Sequence, residues 1–338
     1  MGVLVPQLPM PRRFGRAPRD ADGPVDALAP DETRVEQVAG AGLRWVNIER
    51  PRDDTDRGWL EEHFSFHALD IEDVFSRNQR PKVDVYEDYL FVVLHFPRFD
   101  KAVGRLNAVE LDLFVGPDFL LTLPNDRIEP LEYLFERAKA AEGAQRDAFF
   151  AKGPGYVLYK LIDDCVDASF PMLRKMGNKL ERLEDAIFEG ESDRIVRDLS
   201  DAKQEIINFR KIVRPQRPAL RDLERTARRY LHEDLDIYFD DVNDASERIW
   251  DMLENFKEVV EGLESTNESV LSHRVNDVLR VLTSISVIVL PLTLIASAAG
   301  MNVVFPGEGS EAAFWVIIGI MVGVLVAMVV YFRRRGFL

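Results

Sequence analysis

The sequence predicts an α+β domain with long helices, followed by two transmembrane α-helices. Three observations predict it. Strand-like and helix-like patterns mix as far as residue 155, after which strand patterns stop. Helical periodicity then fills residues 156–302. Finally, Val281–Gly307 runs 27 positions and Ala312–Phe332 runs 21 positions without a charged residue. About 20 apolar residues carry a helix across a bilayer, and core helices of water-soluble proteins seldom stay uncharged for so long.

The composition bounds what the chain does. Its 338 residues suffice for roughly two structural units. With 46% apolar and 30% charged residues it is neither collagen-like nor a disordered tail. Its 58 acids against 43 bases give a net charge of −15. Binding nucleic acid through phosphates needs a basic footprint, so nucleic acid is excluded as a partner of the chain as a whole. An excess of anions suits cations instead. The single cysteine, Cys165, rules out an intramolecular disulfide and any cysteine-built zinc or iron–sulfur centre. No organic cofactor is indicated. Residues 281–338 hold Glu308, Glu311, Arg333, Arg334 and Arg335, which leaves −16 on residues 1–280.

Residues 1–32, rich in Pro, Arg, Gly and Asp, read as a disordered leader. Residues 33–155 read as an α+β domain. Leu43–Ile48 alternates like a strand, and the β-branched and aromatic run Tyr89–Phe96 reads as a buried one. Val109–Val115 and Phe119–Leu123 are split by Gly116-Pro-Asp118, a hairpin turn. Residues 56–76 and 128–141 read as amphipathic helices.

Residues 156–234 read as an antiparallel helical pair. The first helix, 156–190, carries the apolar stripe Leu158, Leu161, Ile162, Val166, Leu173, Leu180, Leu183 and Ile187. The second starts at Ser192, an N-cap type, and Pro215 and Pro218 interrupt or kink it. Residues 235–304 read as one long stalk helix continuing into the first span, with Val242, Ala245, Ile249, Met252, Phe256, Val259 and Leu263 at steps of three and four. A helix that long needs partners, and side-by-side copies from other subunits are expected to supply them. An outer loop (305–311), a second span (312–332) and a basic tail (333–338) complete the chain. Arg274 and Arg280 precede the first span, arginines follow the second, and the loop between has two acids and no base. The positive-inside rule then places both termini and the acidic domain in the cytoplasm, within a multi-pass plasma (inner) membrane protein. The N-terminus shows no signal-peptide pattern, which fits the same placement.

At the outer end of the first span stands Gly300-Met301-Asn302, followed by a short acidic loop, one more span and a basic tail. Arg80-Pro-Lys-Val-Asp-Val-Tyr-Glu-Asp-Tyr-Leu90 lies in the α+β domain, Asn276 lies 26 residues before Asn302, and Pro291-Leu-Thr-Leu-Ile-Ala296 lies within the span. Together these features resemble the CorA family of magnesium and cobalt channels, over most of the chain. The chain departs from the family at Ala299, where an aromatic residue is usual, at Ser297, and in an outer loop without the commonest acidic form. The resemblance implies a funnel-shaped homopentamer, a pore lined by the first span, Mg²⁺ as transported ion with Co²⁺ or Ni²⁺ as further cargo, and regulation by intracellular Mg²⁺. A zinc-transporting branch shares the tripeptide, so a proton-coupled zinc carrier stands as the alternative. A membrane-anchored sensor or scaffold is the alternative of another class. No nucleophile–base pair or P-loop points to an enzyme.

Mg²⁺ gives up its waters reluctantly and prefers oxygen ligands. In a pentamer, five Asn302 amides form a ring of neutral oxygens that selects a hydrated ion without trapping it. Gly300 lets the chain leave the helix, and Met301 packs between subunits. At 100° per residue, Asn276, Thr283, Ser286, Leu290, Thr293 and Ser297 fall within an arc of about 100°, a pore-lining face with Leu290 as a hydrophobic constriction. The competing account is that the hydroxyls only bond back to their own helix. Regulatory Mg²⁺ ligands implied by the resemblance are Glu87 and Asp88 in the α+β domain, with Asp241 and Glu264 on the long helix. His63 and His67 have zinc-like spacing but no evident third ligand.

Overall fold

The computed structural model describes residues 35–336 except 77–78, 101–104, 190–191, 228–235 and 302–309. The expected leader, Asn302 and most of the outer loop lie outside the described residues. The chain divides into two units, one of residues 1–186 with 193–262 and one of residues 187–192 with 263–338.

In the first unit six strands form one sheet: β1 (Val35–Gly40), β2 (Leu43–Ile48), β3 (Lys82–Val85), β4 (Leu90–Asp100), β5 (Arg105–Val115) and β6 (Phe119–Pro124), in the order β1-β2-β6-β5-β4-β3. Only β2 and β6 run parallel. The Gly116 turn joins β5 and β6, with the Gly116 N–H donating to the Phe119 carbonyl at 3.0 Å. Ala41 and Gly42, both at positive φ, make the tight β1–β2 turn whose twist suits a hairpin.

Both sheet faces are covered. Helices α1 (Asp56–His63) and α2 (Ala68–Phe75) lie on one, where Leu60 and Val74 join Val46, Ile48, Phe91, Val93, Phe114, Leu121 and Leu123. On the other lie α3 (Glu129–Ala140), α4 (Ala144–Phe150) and α5 (Pro154–Asp167). There Trp45 meets the Phe135 ring edge-on at 5.0 Å and stacks on Phe149. Double coverage explains why Leu90–Leu94 is buried at every position instead of alternating.

The expected single helix over 56–76 is two helices. Phe64 and Phe66 stack at 4.8 Å, and Phe66 lies 3.9 Å from the Phe114 ring. Their docking on the sheet draws the chain out of helical geometry, and His67 starts α2 as its cap. The edge strands β1 and β3 escaped the sequence reading. The expected helix over 156–190 likewise breaks at Ala168, giving α5 and α6 (Ser169–Glu189).

Helix α7 (Ser192–Ala227) continues through Pro215 and Pro218, and α8 (Asp236–Ala299) continues through Gly262 and Pro291. In the first unit α7 and α8 are tied by Arg217 and Arg221 to Glu247, by Arg210 to Glu254, and by the Arg210 and Arg217 guanidiniums over Trp250. The α8 residues buried there are Val242, Ala245, Ile249, Leu253, Phe256 and Val260. Two corrections follow. The stripe passes through Leu253 and Val260, not Met252 and Val259, because the steps from Ile249 and from Phe256 are four residues where three was read. Moreover, this part of the long helix is covered by its own chain, so its apolar stripe demands no other subunit.

Candidate ion pathway and cation site

In the second unit, α8 and α9 (Glu311–Arg334) are both long and apolar enough to cross a membrane, and the apolar stretch of each is hardly buried. Each covers one stripe. On α8, Ser284 and Ile288 are buried and Pro291, Leu292, Ile295 and Ala299 are half-buried. On α9 the half-buried residues Ala313, Ile317, Met321, Val324 and Met328 recur at steps of three and four.

The predicted pore-lining residues fall on the opposite side of α8. Asn276, Thr283, Ser286, Leu290, Thr293 and Ser297 are all exposed, and at 100° per residue their arc is centred roughly 160° from that of the packed stripe. Leu290 is 67% exposed, which for a large apolar side chain marks a face awaiting a lipid or protein neighbour. Ser284, outside the arc by sequence, is the polar residue that packing buries. Its hydroxyl donates to the Arg280 carbonyl at 2.7 Å. Ser286 and Thr293 also donate backward, to Leu282 and Val289. Back-bonding therefore occurs on both faces. It occupies the proton of each hydroxyl, and at the exposed Ser286 and Thr293 it leaves oxygen lone pairs on the outward face.

Helix α8 ends at Ala299. Gly300 follows in a turn, its N–H donating to the Ala296 carbonyl at 3.0 Å, and it does not take a left-handed φ. A Cβ there would stand 3.3 Å from the Ala296 oxygen, so close backbone approach is what the position uses. Met301 is 60% exposed.

Of the four predicted regulatory acids, Glu87, Asp88 and Asp241 belong to the first unit and Glu264 to the second. Glu87 and Asp88 are exposed in the turn between β3 and β4, closed by the Tyr86 N–H donating to the Tyr89 carbonyl. Both tyrosine hydroxyls donate to Asp70 at 2.8 Å, which pins the turn to α2. Asp241 is exposed on α8, and its charge, with those of Asp163 and Asp164, adds to the burial that raises Asp167 above its ordinary range. Glu264, in the second unit, is half-buried. Among the described residues no three carboxylate or histidine side chains converge as a metal-holding group.

The histidine pair is spent locally. His63 Nδ1 lies 2.9 Å from the Trp59 carbonyl, and His67 Nδ1 accepts from the Leu69 N–H. Sequence reasoning missed Asp70, buried on the sheet-facing side of α2, and Glu110 and Asp112, buried beneath α1 and α2. Glu110 and Asp112 alternate with apolar residues on β5, a pattern that by itself fits a half-exposed strand. Only the docking of α1 and α2 buries them.

The sequence profile of the family described as CorA-like Mg²⁺ transporter protein matches residues 40–334. The cobalt/magnesium transport protein CorA of Thermotoga maritima is 31% identical over 295 residues, covering 87% of this chain and 83% of its own. The complete structure of the CorA magnesium transporter from Methanocaldococcus jannaschii superposes with a TM-score of 0.74 at 21% identity, over 88% of this chain and 92% of that one. The full-length CmaX structure gives 0.68 at 20% identity, over 94% and 93%.

Proposed function

The chain belongs to the CorA-like Mg²⁺ transporter protein family, and from that premise we propose that five copies form a divalent-cation channel carrying Mg²⁺, with Co²⁺ and Ni²⁺ as further cargo, across the plasma (inner) membrane. The first spans stand inside, and α9 faces lipid. Both termini and the acidic α+β domain face the cytoplasm. Ions enter past a ring of Asn302 amides backed by Gly300 and Met301. They then descend the face made by Asn276, Thr283, Ser286, Thr293 and Ser297, and Leu290 narrows the path. Mg²⁺ also regulates, held between Glu87 and Asp88 of one subunit and Asp241 and Glu264 of the next. The reading includes no catalysis and no organic cofactor.

The observation that carries it is the one-sided polar face of α8. A helix that only anchored a domain would have no use for hydroxyls and an amide opposite its packed stripe. Proteoliposomes loaded with a Mg²⁺ indicator test it. Wild-type protein should admit Mg²⁺, and Asn302→Ala should nearly abolish uptake while the assembly persists. Undiminished flux through Asn302→Ala would remove the selectivity ring. Uptake that requires an imposed proton gradient would favour a coupled carrier.

A further inference from the structure

Glu110, Asp112 and Phe114 share one face of β5, because alternate strand residues point the same way. Phe114 belongs to the core beneath α1 and α2, as do Val93 and Leu123, which stand opposite Asp112 on β4 and β6. Asp112 is thus near the middle of the sheet under α2. It is 1% exposed, and its Oδ1 has no hydrogen-bond partner. Buried polar atoms are nearly always paired, so a solitary one calls for a reason.

The ionisable groups around it come from four elements. Glu110 lies on the same strand at 4% exposure, Asp73 on α2, Lys82 on β3, and His95 on β4 with its Nε2 3.2 Å from Glu110 Oε2. Its cross-strand neighbours Val93 and Leu123 are apolar. Lys82 is already engaged. Its Nζ reaches Asp73 at 2.7 Å and Asp84 at 2.5 Å and lies over the Phe91 ring, so it fastens β3 to α2.

We propose that Asp112 is a buried proton-binding switch whose neutral form lets Lys82 hold β3 against α2 and whose ionised form loosens that cover. A neutral carboxyl fits an apolar place with no counterion. A carboxylate there is disfavoured by burial and by the like charges of Glu110 and Asp73. Burial, then those two acids, push the Asp112 carboxyl well above the ordinary carboxylate range. Once ionised, it finds relief by drawing water in past α2 or by drawing Lys82 off Asp73. Either route weakens the same contact. The folded-state value lies above the unfolded one, so the stabilisation is complete at low pH and is lost as pH rises through the folded value. Strand β3 runs directly into the turn bearing Glu87 and Asp88, so the proton state of Asp112 reaches that turn. The switch itself does not require a cation there.

Hydrogen exchange of the full-length protein in detergent tests this, with rates corrected for the intrinsic effect of pH, from about pH 5 to about pH 10. Protection over residues 68–75 and 82–85 should fall by about tenfold or more across the range, a tenfold fall being one pK unit of linkage. Residues 119–124 should hold steady. Asp112→Asn and Asp112→Leu should flatten the profile. Glu110→Gln, which keeps Asp112 but removes its like-charged neighbour, should move the fall to lower pH. A flat wild-type profile overturns the proposal. So does a fall that survives undiminished in both Asp112 variants, which would assign it to Asp70 or the nearby histidines. If neither Asp112 variant folds, an unmoved fall in Glu110→Gln overturns it.

Discussion

At the scale of single residues, Gly116 shows how little room the sheet leaves. A Cβ at this position would collide with three atoms of the Phe119 ring. That ring cannot swing away freely, because it packs 5.1 Å from Phe64 and 6.0 Å from Phe66. Overpacking of this kind costs about 1–3 kcal/mol. Gly116→Ala should lower stability by that amount in thermal or denaturant unfolding, and an unchanged midpoint would show that the aromatic layer can yield. The Gly-Pro-Asp turn was legible, because turn residues announce themselves locally. Asp70, Glu110 and Asp112 were not. Their burial depends on helices brought over the sheet by Phe64, Phe66 and Val74, and no local pattern reports which face of a two-sided sheet is dry. Asn302 lies outside the described residues, and the ring proposed for it would need copies that no single chain supplies.

At the scale of elements, periodicity recovered the long helices and misplaced their details. The α8 stripe was read through Met252 and Val259, one residue short of the buried Leu253 and Val260, because a helix of 3.6 residues per turn tolerates steps of three or four and apolar residues occupy both positions. Helix breaks at Phe64–Phe66 and Ala168, and the short edge strands β1 and β3, depend on tertiary docking and left no comparable mark. The two-faced character of the membrane part of α8 was legible as the polar arc, and its opposition to a packed stripe emerges in the structure. If that arc lines water, cysteines placed on it should react with a small, positively charged thiol reagent. Leu290→Cys and Thr293→Cys are expected to label quickly in reconstituted protein, while Ile288→Cys and Ile295→Cys, on the packed stripe, label at least about tenfold more slowly, as an equilibrium opening cost of 1.4 kcal/mol or more would impose. The native Cys165 is buried and its thiol is pushed well above the ordinary range, so it adds little background. Equal labelling on both faces would deny α8 a pore side.

At the scale of the whole molecule, charge is the dominant fact. Residues 1–280 carry −16, and in a pentamer five copies would bring about −80 around one axis, a body that repels itself unless cations intervene. Much of the chain's charge is already neutralised within it. Arg217 and Arg221 hold Glu247 well enough to keep its carboxyl below the ordinary range, and Lys160 sits between Asp163 and Asp164. Glu87, Asp88 and Asp241 are exposed acids of another kind, lying where no described cluster in one chain completes a metal site. If Mg²⁺ closes the proposed channel, it must bind the closed state better than the open one, and carboxylates contributed by two subunits would be where such a difference arises. Limited proteolysis of the reconstituted protein, with and without millimolar Mg²⁺, checks this. Wild-type protein should be protected by Mg²⁺. A variant carrying Asp88→Ala and Asp241→Ala should lose most of that protection while digesting as wild type does without the ion. Identical cleavage in all four conditions would mean that the acids serve only solvation, and that feedback, if the channel has it, acts elsewhere. Protection that persists in the double variant would keep Mg²⁺ as the regulator and move its ligands toward Glu264, where the half-buried carboxyl lies closer along α8 to the span it would control.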